Sequence, residues 1–253
     1  MTTAGFYADV ADRIPAGALP FMNYGYAGPN EDYSWLQPGD EPYRYNLNLL
    51  RLVLEGVALK QATVLECGSG RGGNCLYLER YTDAGAIYGM DICEPHVRLC
   101  AGVPSRARFL CGDAGKMPFA SDSFDVLLNL ESSHCYPDFE SFLTEARRVL
   151  KPGGLFAYAD FWGLSIFDYD WTARQLALDR CGLILLRDED VTEGVFRALQ
   201  QDDGLSDTVR AVANTANASL VEVILRANEA MRLTLLSRQC CYKVMLMRRP
   251  LNG

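Results

Sequence analysis

Val64-Leu65-Glu66-Cys67-Gly68-Ser69-Gly70-Arg71-Gly72-Gly73 is the stretch of this sequence that decides its fold. Its first residues have the apolar character of a buried strand. The glycines that follow permit a tight turn and let a ligand approach the backbone closely. A helix is predicted directly afterwards, over Asn74–Tyr81. Nucleotide dehydrogenases use similar turns, so this stretch alone is weak evidence for one kind of ligand. A plain strand-to-helix turn with no ligand also stays open as an interpretation.

Strands and helices alternate on both sides of this turn. Helices are predicted over residues 46–59, Pro95–Ala101, Phe139–Leu150 and Glu193–Gln200. Strands are predicted at Ala62–Cys67, Ala86–Ile92, Ala107–Cys111, Phe124–Leu130, Leu155–Phe161, Leu183–Leu186 and Tyr242–Met247. Continuously apolar strands separated by helices predict an α/β fold with a mostly parallel sheet that is covered on both faces.

The chain divides into four predicted segments. Residues 1–45 are rich in Tyr, Gly, Pro and Asn and read as an N-terminal arm with a short helix near Phe6–Arg13. Residues 46–204 form the core. Residues 205–238 carry long 3.6-residue apolar spacing and predict a helical insertion. Residues 239–253 return to the core as its last strand.

Composition limits the classes of function. The 253 residues carry a net charge of -8, without the basic face that a duplex nucleic-acid binder needs. No run approaches the roughly 20 apolar residues of a membrane span, and no apolar signal segment is seen at the N-terminus. We therefore expect a small or neutral partner rather than nucleic acid. Monomer and homodimer both stay open.

The nine cysteines form no C-x-x-C pair, and the chain has two histidines, so no zinc site is expected. Five cysteines fall in apolar segments and are predicted to be reduced core thiols. Reduced thiols favour a cytoplasmic protein. The five are Cys67, Cys75, Cys93, Cys100 and Cys111.

Three carboxylates lie at or near the carboxyl ends of predicted strands. Glu66 lies two residues before the first glycine of the turn, where it can hold a cationic ammonium. Asp91 closes the second strand and can accept both hydroxyls of a ribose. Asp113, in Cys111-Gly112-Asp113-Ala114, can accept from an adenine amino group while the Ala114 N–H faces a ring nitrogen.

A fourth element, Ser123-Phe124-Asp125-Val126-Leu127-Leu128-Asn129, precedes a helix and then Lys151-Pro152-Gly153-Gly154. In this order and spacing, the four elements resemble the class I methyltransferases, which use S-adenosylmethionine (SAM). The resemblance covers about residues 60–162 and implies a Rossmann-like, seven-stranded sheet. It implies that SAM is bound by Tyr24, Glu66, Gly68, Ser69, Gly70, Gly72, Asn74, Asp91, Ile92, Gly112, Asp113, Ala114, Asn129 and Glu131.

A narrower resemblance links three further stretches to lipid and polyketide methyltransferases of actinobacteria, such as the phthiotriol and rifamycin-type enzymes. The stretches are Phe21-Met22-Asn23-Tyr24-Gly25-Tyr26, Glu131-Ser132-Ser133-His134-Cys135-Tyr136-Pro137 and Asp188-Glu189-Asp190-Val191-Thr192-Glu193-Gly194-Val195. This likeness implies that the helical insertion at residues 205–238 is a lid over a hydrophobic substrate. Tyr24, Tyr26 and Tyr33 are candidates to close over the cofactor.

His134 follows the fourth strand and is the candidate catalytic base, because histidine titrates near neutrality. A purely structural role for it stays open, and His96 is expected at the surface. The predicted reaction is methyl transfer from SAM to a hydroxyl of a hydrophobic metabolite or lipid. The alternatives are a carbon or nitrogen acceptor, a methyltransferase-like cyclase that retains SAM, and a silent binding protein.

Overall fold

A seven-stranded sheet forms the centre of the computed structural model, which describes residues 3–30, 32–163, 171–201, 207, 209–214 and 217–252. Its strands are β1 (Thr63–Cys67), β2 (Ala86–Asp91), β3 (Arg108–Cys111), β4 (Phe124–Leu130), β5 (Leu150–Gly163), β6 (Ile184–Asp190) and β7 (Cys240–Arg248). They lie in the order β3-β2-β1-β4-β5-β7-β6. Strands β1 to β5 pair in parallel, and β7 runs antiparallel to both of its neighbours. The predicted fold class is confirmed.

Helices cover both faces of the sheet. They are α1 (Thr3–Arg13), α2 (Arg44–Val53), α3 (Gly73–Tyr81), α4 (Glu94–Ala101), α5 (Phe139–Val149), α6 (Trp171–Arg180), α7 (Thr192–Gln201) and α8 (Ala218–Leu236). Alternate strand residues point to opposite faces. Val64 therefore packs with α2, α3, α7 and α8, while Leu65 packs with α5 and α6. Two apolar cores result, one on each face.

Several predicted boundaries differ from the structure. Helix α2 ends at Val53 rather than near residue 59, and Gly56 adopts a φ of 77° in the turn that follows. Strand β6 continues to Asp190, beyond the predicted Leu186, because an edge strand can carry charged residues toward solvent. The predicted lid includes α8, but its residues 205, 206, 208, 215 and 216 lie outside the described part of the chain. Helix α6 begins at Trp171, and residues 164–170 are also outside the described part.

The cysteine prediction is partly wrong. Cys67, Cys75 and Cys100 are buried, whereas Cys93 is half-buried and Cys111 is exposed. Cys111 ends a short strand at the edge of the sheet, where fewer neighbours cover its side chain. All nine thiols are free. Within the described residues, no helix has both the length and the apolar character to cross a membrane.

Arg71 fastens the N-terminal arm to the glycine-rich turn. Its guanidinium donates hydrogen bonds to the backbone carbonyls of Val10, Ile14, Pro15 and Leu19, over 2.6 to 2.8 Å. The side chain is buried, and burial lowers its pKa to about 10. These carbonyls compensate for the desolvated charge, so a single residue of the turn positions the arm over the sheet.

Candidate active site

A cavity of about 730 Å³ opens where β1, β2, β3 and β4 end, beneath α1 and the arm. This is the edge at which parallel α/β sheets bind ligands. Most of the predicted site residues line it: Tyr24, Gly68, Ser69, Gly70, Asn74, Asp91, Ile92, Gly112, Asp113, Ala114, Glu131 and His134. The topology therefore gathers residues from five separate stretches of sequence around one space.

The glycine-rich turn forms one wall. Gly68 and Gly70 adopt φ values of 78° and 50°, in the left-handed region that favours glycine. A Cβ atom on Gly68 would lie 1.8 Å from the hydroxyl oxygen of Ser132. The backbone N–H of Gly70 donates to Oδ2 of Asp91 over 2.7 Å. The turn is thus tied to the neighbouring strand through the carboxylate that was predicted to bind ribose.

Asp91 has a second tether, because its Oδ1 accepts from the backbone N–H of Cys93 over 2.8 Å. Each carboxylate oxygen can accept more than one hydrogen bond, so these contacts orient Asp91 and leave capacity for a ligand. Asp113 is held in a similar way, by the N–H of Gly115 at 2.8 Å. Next to Asp91, the side chain of Ile92 is 71% exposed and offers an apolar surface in the cavity wall.

Glu66 lies behind the cavity wall rather than on it. Its carboxylate accepts from Nδ2 of Asn74 at 2.6 Å and from the thiol of Cys75 at 3.0 Å. Burial raises its pKa to about 8, although both hydrogen bonds act in the opposite direction. Asn74 lines the cavity and separates Glu66 from it. The structure therefore places the Glu66 carboxylate behind Asn74 and out of direct contact with the cavity.

Two more predicted cofactor residues also lie behind the wall. Gly72, at a φ of 81°, faces the side chains of Cys100 and Phe109, so its role is to let the turn pack on the sheet. Asn129 is fully buried and donates to the carbonyl of Cys67 and to the hydroxyl of Tyr136, over 2.8 and 2.9 Å. Neither residue lines the cavity, and the structure places both in supporting positions behind its wall.

Of the three tyrosines of the N-terminal arm that were candidates to close over the cofactor, one lines the cavity. Tyr24 lines the cavity, and its backbone N–H donates to Oε1 of Glu131 over 2.9 Å. Tyr26 instead packs against Gly194 at the start of α7, and Tyr33 packs edge-on against Tyr45. The expectation that Tyr26 and Tyr33 cover the cofactor is wrong, because the arm turns away toward α2 and α7 after Tyr24.

Glu131 joins the arm, the sheet and the cavity. The same Oε1 atom accepts from the hydroxyl of Tyr242 on β7 at 2.7 Å. Its φ of 47° is unusual for a residue with a side chain and is held by these contacts. Burial raises the pKa of Glu131 to about 8, against the two hydrogen bonds. A buried carboxyl of this kind favours a cationic ligand or a shared proton nearby.

His134 forms a buried pair with Asp160. Nδ1 of His134 lies 2.9 Å from Oδ1 of Asp160, and the backbone N–H of His134 donates to Oδ2 at 3.0 Å. The hydroxyl of Ser133 also donates to Oδ2, at 2.7 Å. Burial disfavours a charged imidazole, but the attraction and hydrogen bond of Asp160 outweigh it and raise the pKa of His134 to about 10. The ring also packs on Phe161, with centroids 4.4 Å apart.

Comparison with known proteins gives these features their context. A model described as "Methyltransferase domain" matches residues 65–158. A fatty-acid O-methyltransferase of Mycolicibacterium smegmatis is 33% identical over 210 residues, which make up 82% of this chain and 75% of that relative. The chain belongs to the methyltransferase family. Membership of this family supports SAM as the cofactor, as the sequence motifs predict.

Other methyltransferases match over a shorter length. A phthiotriol/phenolphthiotriol dimycocerosates methyltransferase of Mycobacterium tuberculosis (strain ATCC 25177 / H37Ra) is 42% identical over 148 residues, 56% of this chain and 53% of the relative. Aligned in this way, the chain spans about half the length of that relative. The crystal structure of the [4+2]-cyclase SpnF superposes with a TM-score of 0.76, at 20% identity, over 98% of this chain and 95% of that one. That likeness shows the shared fold.

Sequence reasoning missed two residues of this methyltransferase site. Asp160 was not singled out, although an acid within the apolar run Leu155–Phe161 is a signal in itself. His96, expected at the surface, is 1% exposed and lines the cavity beside the ring of Tyr7. Among the residues that the structure describes, its Nε2 atom has no hydrogen-bond partner. Helix α1 covers α4 and buries His96, which periodicity within α4 could not reveal.

Proposed function

We propose that this protein transfers the methyl group of SAM to a hydroxyl group of a hydrophobic small molecule. The observation that carries the proposal is the buried His134–Asp160 pair, in which His134 lines the same cavity as Asp91 and Asp113. A cofactor subsite and a base are thereby combined in one space. SAM supplies an activated methyl group, and the chain's own residues orient the acceptor and remove its proton.

The cavity wall fits SAM in charge and in hydrogen-bonding capacity. Asp91 and Asp113 would hold the ribose and the adenine, and Asn74, backed by Glu66, would hold the ammonium. Three buried atoms on the wall have no hydrogen-bond partner within the described part of the chain, namely Oγ of Ser69, Nδ2 of Asn23 and Nε2 of His96. Buried polar groups are rarely left unpaired, so these atoms support a polar ligand at this place.

His134 is proposed as the base for the acceptor hydroxyl. When Nδ1 of the neutral imidazole ring donates to Asp160, Nε2 is the nitrogen that can accept the proton of the acceptor hydroxyl. Asp160 fixes the ring orientation and stabilises the imidazolium that forms. A cation held near Asp91 would lower the pKa of His134 toward neutrality by like-charge repulsion, which raises the fraction of active base.

The names of the relatives support a lipid-like acceptor. The relatives described above are a fatty-acid O-methyltransferase and a phthiotriol/phenolphthiotriol dimycocerosates methyltransferase. We extend this to the present chain as an oxygen acceptor on an apolar molecule. Helix α8 and the arm are proposed as its lid. A cytoplasmic location, a monomeric or dimeric state and the absence of a nucleic-acid partner are kept as parts of the proposal.

The competing reaction is a cyclisation in which SAM is retained. Methyl transfer to a carbon or nitrogen acceptor is a variant of the proposed methyl transfer to oxygen. A direct assay separates them. The protein is incubated with methyl-labelled SAM and a panel of fatty acids, fatty alcohols and lipid diols, and S-adenosylhomocysteine and labelled product are quantified together. Stoichiometric release with an O-methyl product supports the proposal. Acceptor conversion without release of S-adenosylhomocysteine would replace it with cyclisation.

A further inference from the structure

A second and smaller cavity lies beside the first, between α1, the arm and α8. Its volume is about 110 Å³. Among the described residues, every side chain on its wall is uncharged. Much of the wall is aliphatic, from Val10, Leu19, Leu199, Val209, Ile224 and Leu225. Such a wall is suited to hydrocarbon, and its polar side chains, among them Asn23 and Asn228, carry no charge.

The two cavities share part of their walls. Tyr7, Met22, Asn23 and Tyr24 line both. Tyr24 is bonded through its backbone N–H to Glu131, three residues before His134. The hydroxyl of Tyr7 lies 3.8 Å from the thiol of Cys135, directly after His134. The small cavity therefore adjoins the main one at residues that contact the segment around His134.

We infer that the small cavity holds the alkyl chain of the acceptor, which is accordingly a linear chain that carries the methylated oxygen near one end. This inference rests on the proposed function and narrows its substrate class. An oxygen at His134 leaves the chain to pass between Tyr7 and Tyr24, toward Ile224 and Leu225 on α8. A volume of about 110 Å³ is large enough for a short segment of an alkyl chain.

Burial of each methylene group in the small cavity should strengthen binding about fourfold, until the space is filled. If the small cavity were only a packing gap between helices, no part of the acceptor would enter it. Changes to its lining would then leave the affinity for the acceptor unchanged. The two cases are thus distinguished by affinity as a function of chain length, and by the effect of filling the cavity from its α8 side.

The experiment uses saturated fatty acids of eight, ten, twelve and fourteen carbons as probes. Their binding to the full chain, saturated with S-adenosylhomocysteine, is measured by calorimetry. Leu225→Trp and the milder Ile224→Phe fill the cavity from α8. Leu233→Trp is the matched control, since Leu233 lies on the same helix, is 50% exposed and lines neither cavity. Affinity for the cofactor product is measured for each variant as a check on folding.

We expect affinity to rise with chain length in the wild type and in Leu233→Trp, and at least tenfold weaker binding of the longer probes to Leu225→Trp or Ile224→Phe. Flat chain-length dependence, or wild-type binding by both filled variants with normal cofactor affinity, would overturn the inference. Failure of the proposed function has a different signature, namely chain-length-dependent binding with no release of S-adenosylhomocysteine from SAM for any probe.

Discussion

Nδ1 of His134 lies 2.9 Å from Oδ1 of Asp160, and the two side chains are 7% and 1% exposed at the carboxyl edge of the sheet. Residues 26 positions apart are joined here because β4 and β5 are neighbours in the sheet. Ser133 and the backbone N–H of His134 satisfy the remaining carboxylate oxygen. The imidazole is thus held on the cavity wall in a single orientation.

Replacement of His134 by alanine should remove the base and leave the cofactor subsite intact. We expect turnover to fall roughly 10²–10⁴-fold, with SAM affinity within a few-fold of wild type. Rates are measured from S-adenosylhomocysteine release, and affinity by calorimetry. Because Asp160 loses a buried partner, thermal unfolding is followed as a control for folding. Near-normal turnover in a folded variant would remove His134 from the mechanism.

Asp160→Asn should change the pH dependence of catalysis. Asp160 raises the pKa of His134, to about 10 in the absence of cofactor, so the fraction of neutral base, and hence the rate, increases with pH until that group is deprotonated. Without the carboxylate, the pKa of His134 falls and the rising limb moves to lower pH, while the maximum rate drops as the ring orientation is lost. Profiles of turnover from pH 6 to 10 test this. An unchanged limb would show that another group controls the proton.

The same pair links stability to pH. The folded pKa of His134 is raised above its unfolded value, so its stabilisation is fully present below the unfolded pKa, near 6.5, and is lost as pH rises through about 10. We expect the wild type to lose more stability over this range than His134→Gln. Urea unfolding at several pH values measures the difference. Parallel curves for the two proteins would contradict the linkage.

Removal of charge from Asp91 should weaken cofactor binding. Asp91→Asn keeps the shape of the side chain, but an amide cannot accept at both ends, so either the Gly70 or the Cys93 tether is lost together with ribose contacts. We expect SAM affinity to fall at least tenfold. Asp188→Asn on the exposed edge strand β6 serves as a charge-matched control and should bind normally. Unaltered affinity in Asp91→Asn would exclude a ribose contact.

Glu66→Gln should increase thermal stability at high pH and at the same time weaken SAM binding. Burial raises the pKa of Glu66 to about 8, so the folded protein loses stability as pH rises from about 4.5, its unfolded pKa, to about 8. The neutral glutamine avoids this loss, and the melting temperature of the variant should exceed that of wild type increasingly above pH 6. SAM affinity should fall, because the support of Asn74 changes. A variant that is less stable at pH 8 would contradict this account.

Arg71→Lys should loosen the arm. A lysine retains the charge but cannot satisfy the four carbonyls that the guanidinium reaches in different directions. We expect faster hydrogen exchange and proteolysis over residues 10–20 and faster dissociation of SAM, with little change at β6. Arg98→Lys, on the exposed side of α4, is the control. Equal protection of the arm in both variants would show that Arg71 does not anchor it.

Much of the fold is readable from local patterns. Apolar strands such as Phe124–Leu130 and the glycine-rich turn after Cys67 depend on neighbours in the sequence, and both were predicted within one residue of the structure. Charged edge strands are harder, because solvent on one side removes the apolar signal, as the extension of β6 to Asp190 shows. Candidate site residues near strand ends could be predicted because the same local patterns indicate where each strand ends.

The sequence by itself determined that a parallel sheet brings Gly68, Asp91, Asp113 and His134 to one edge, since periodicity and turns specify strand direction. Only the tertiary structure decided which polar groups meet. Glu66 turned from the cavity toward Asn74 and Cys75, His96 was buried under α1, and Asp160 met His134 across adjacent strands. These contacts depend on side-chain direction and on packing between distant segments, and neither leaves a periodic trace in the chain.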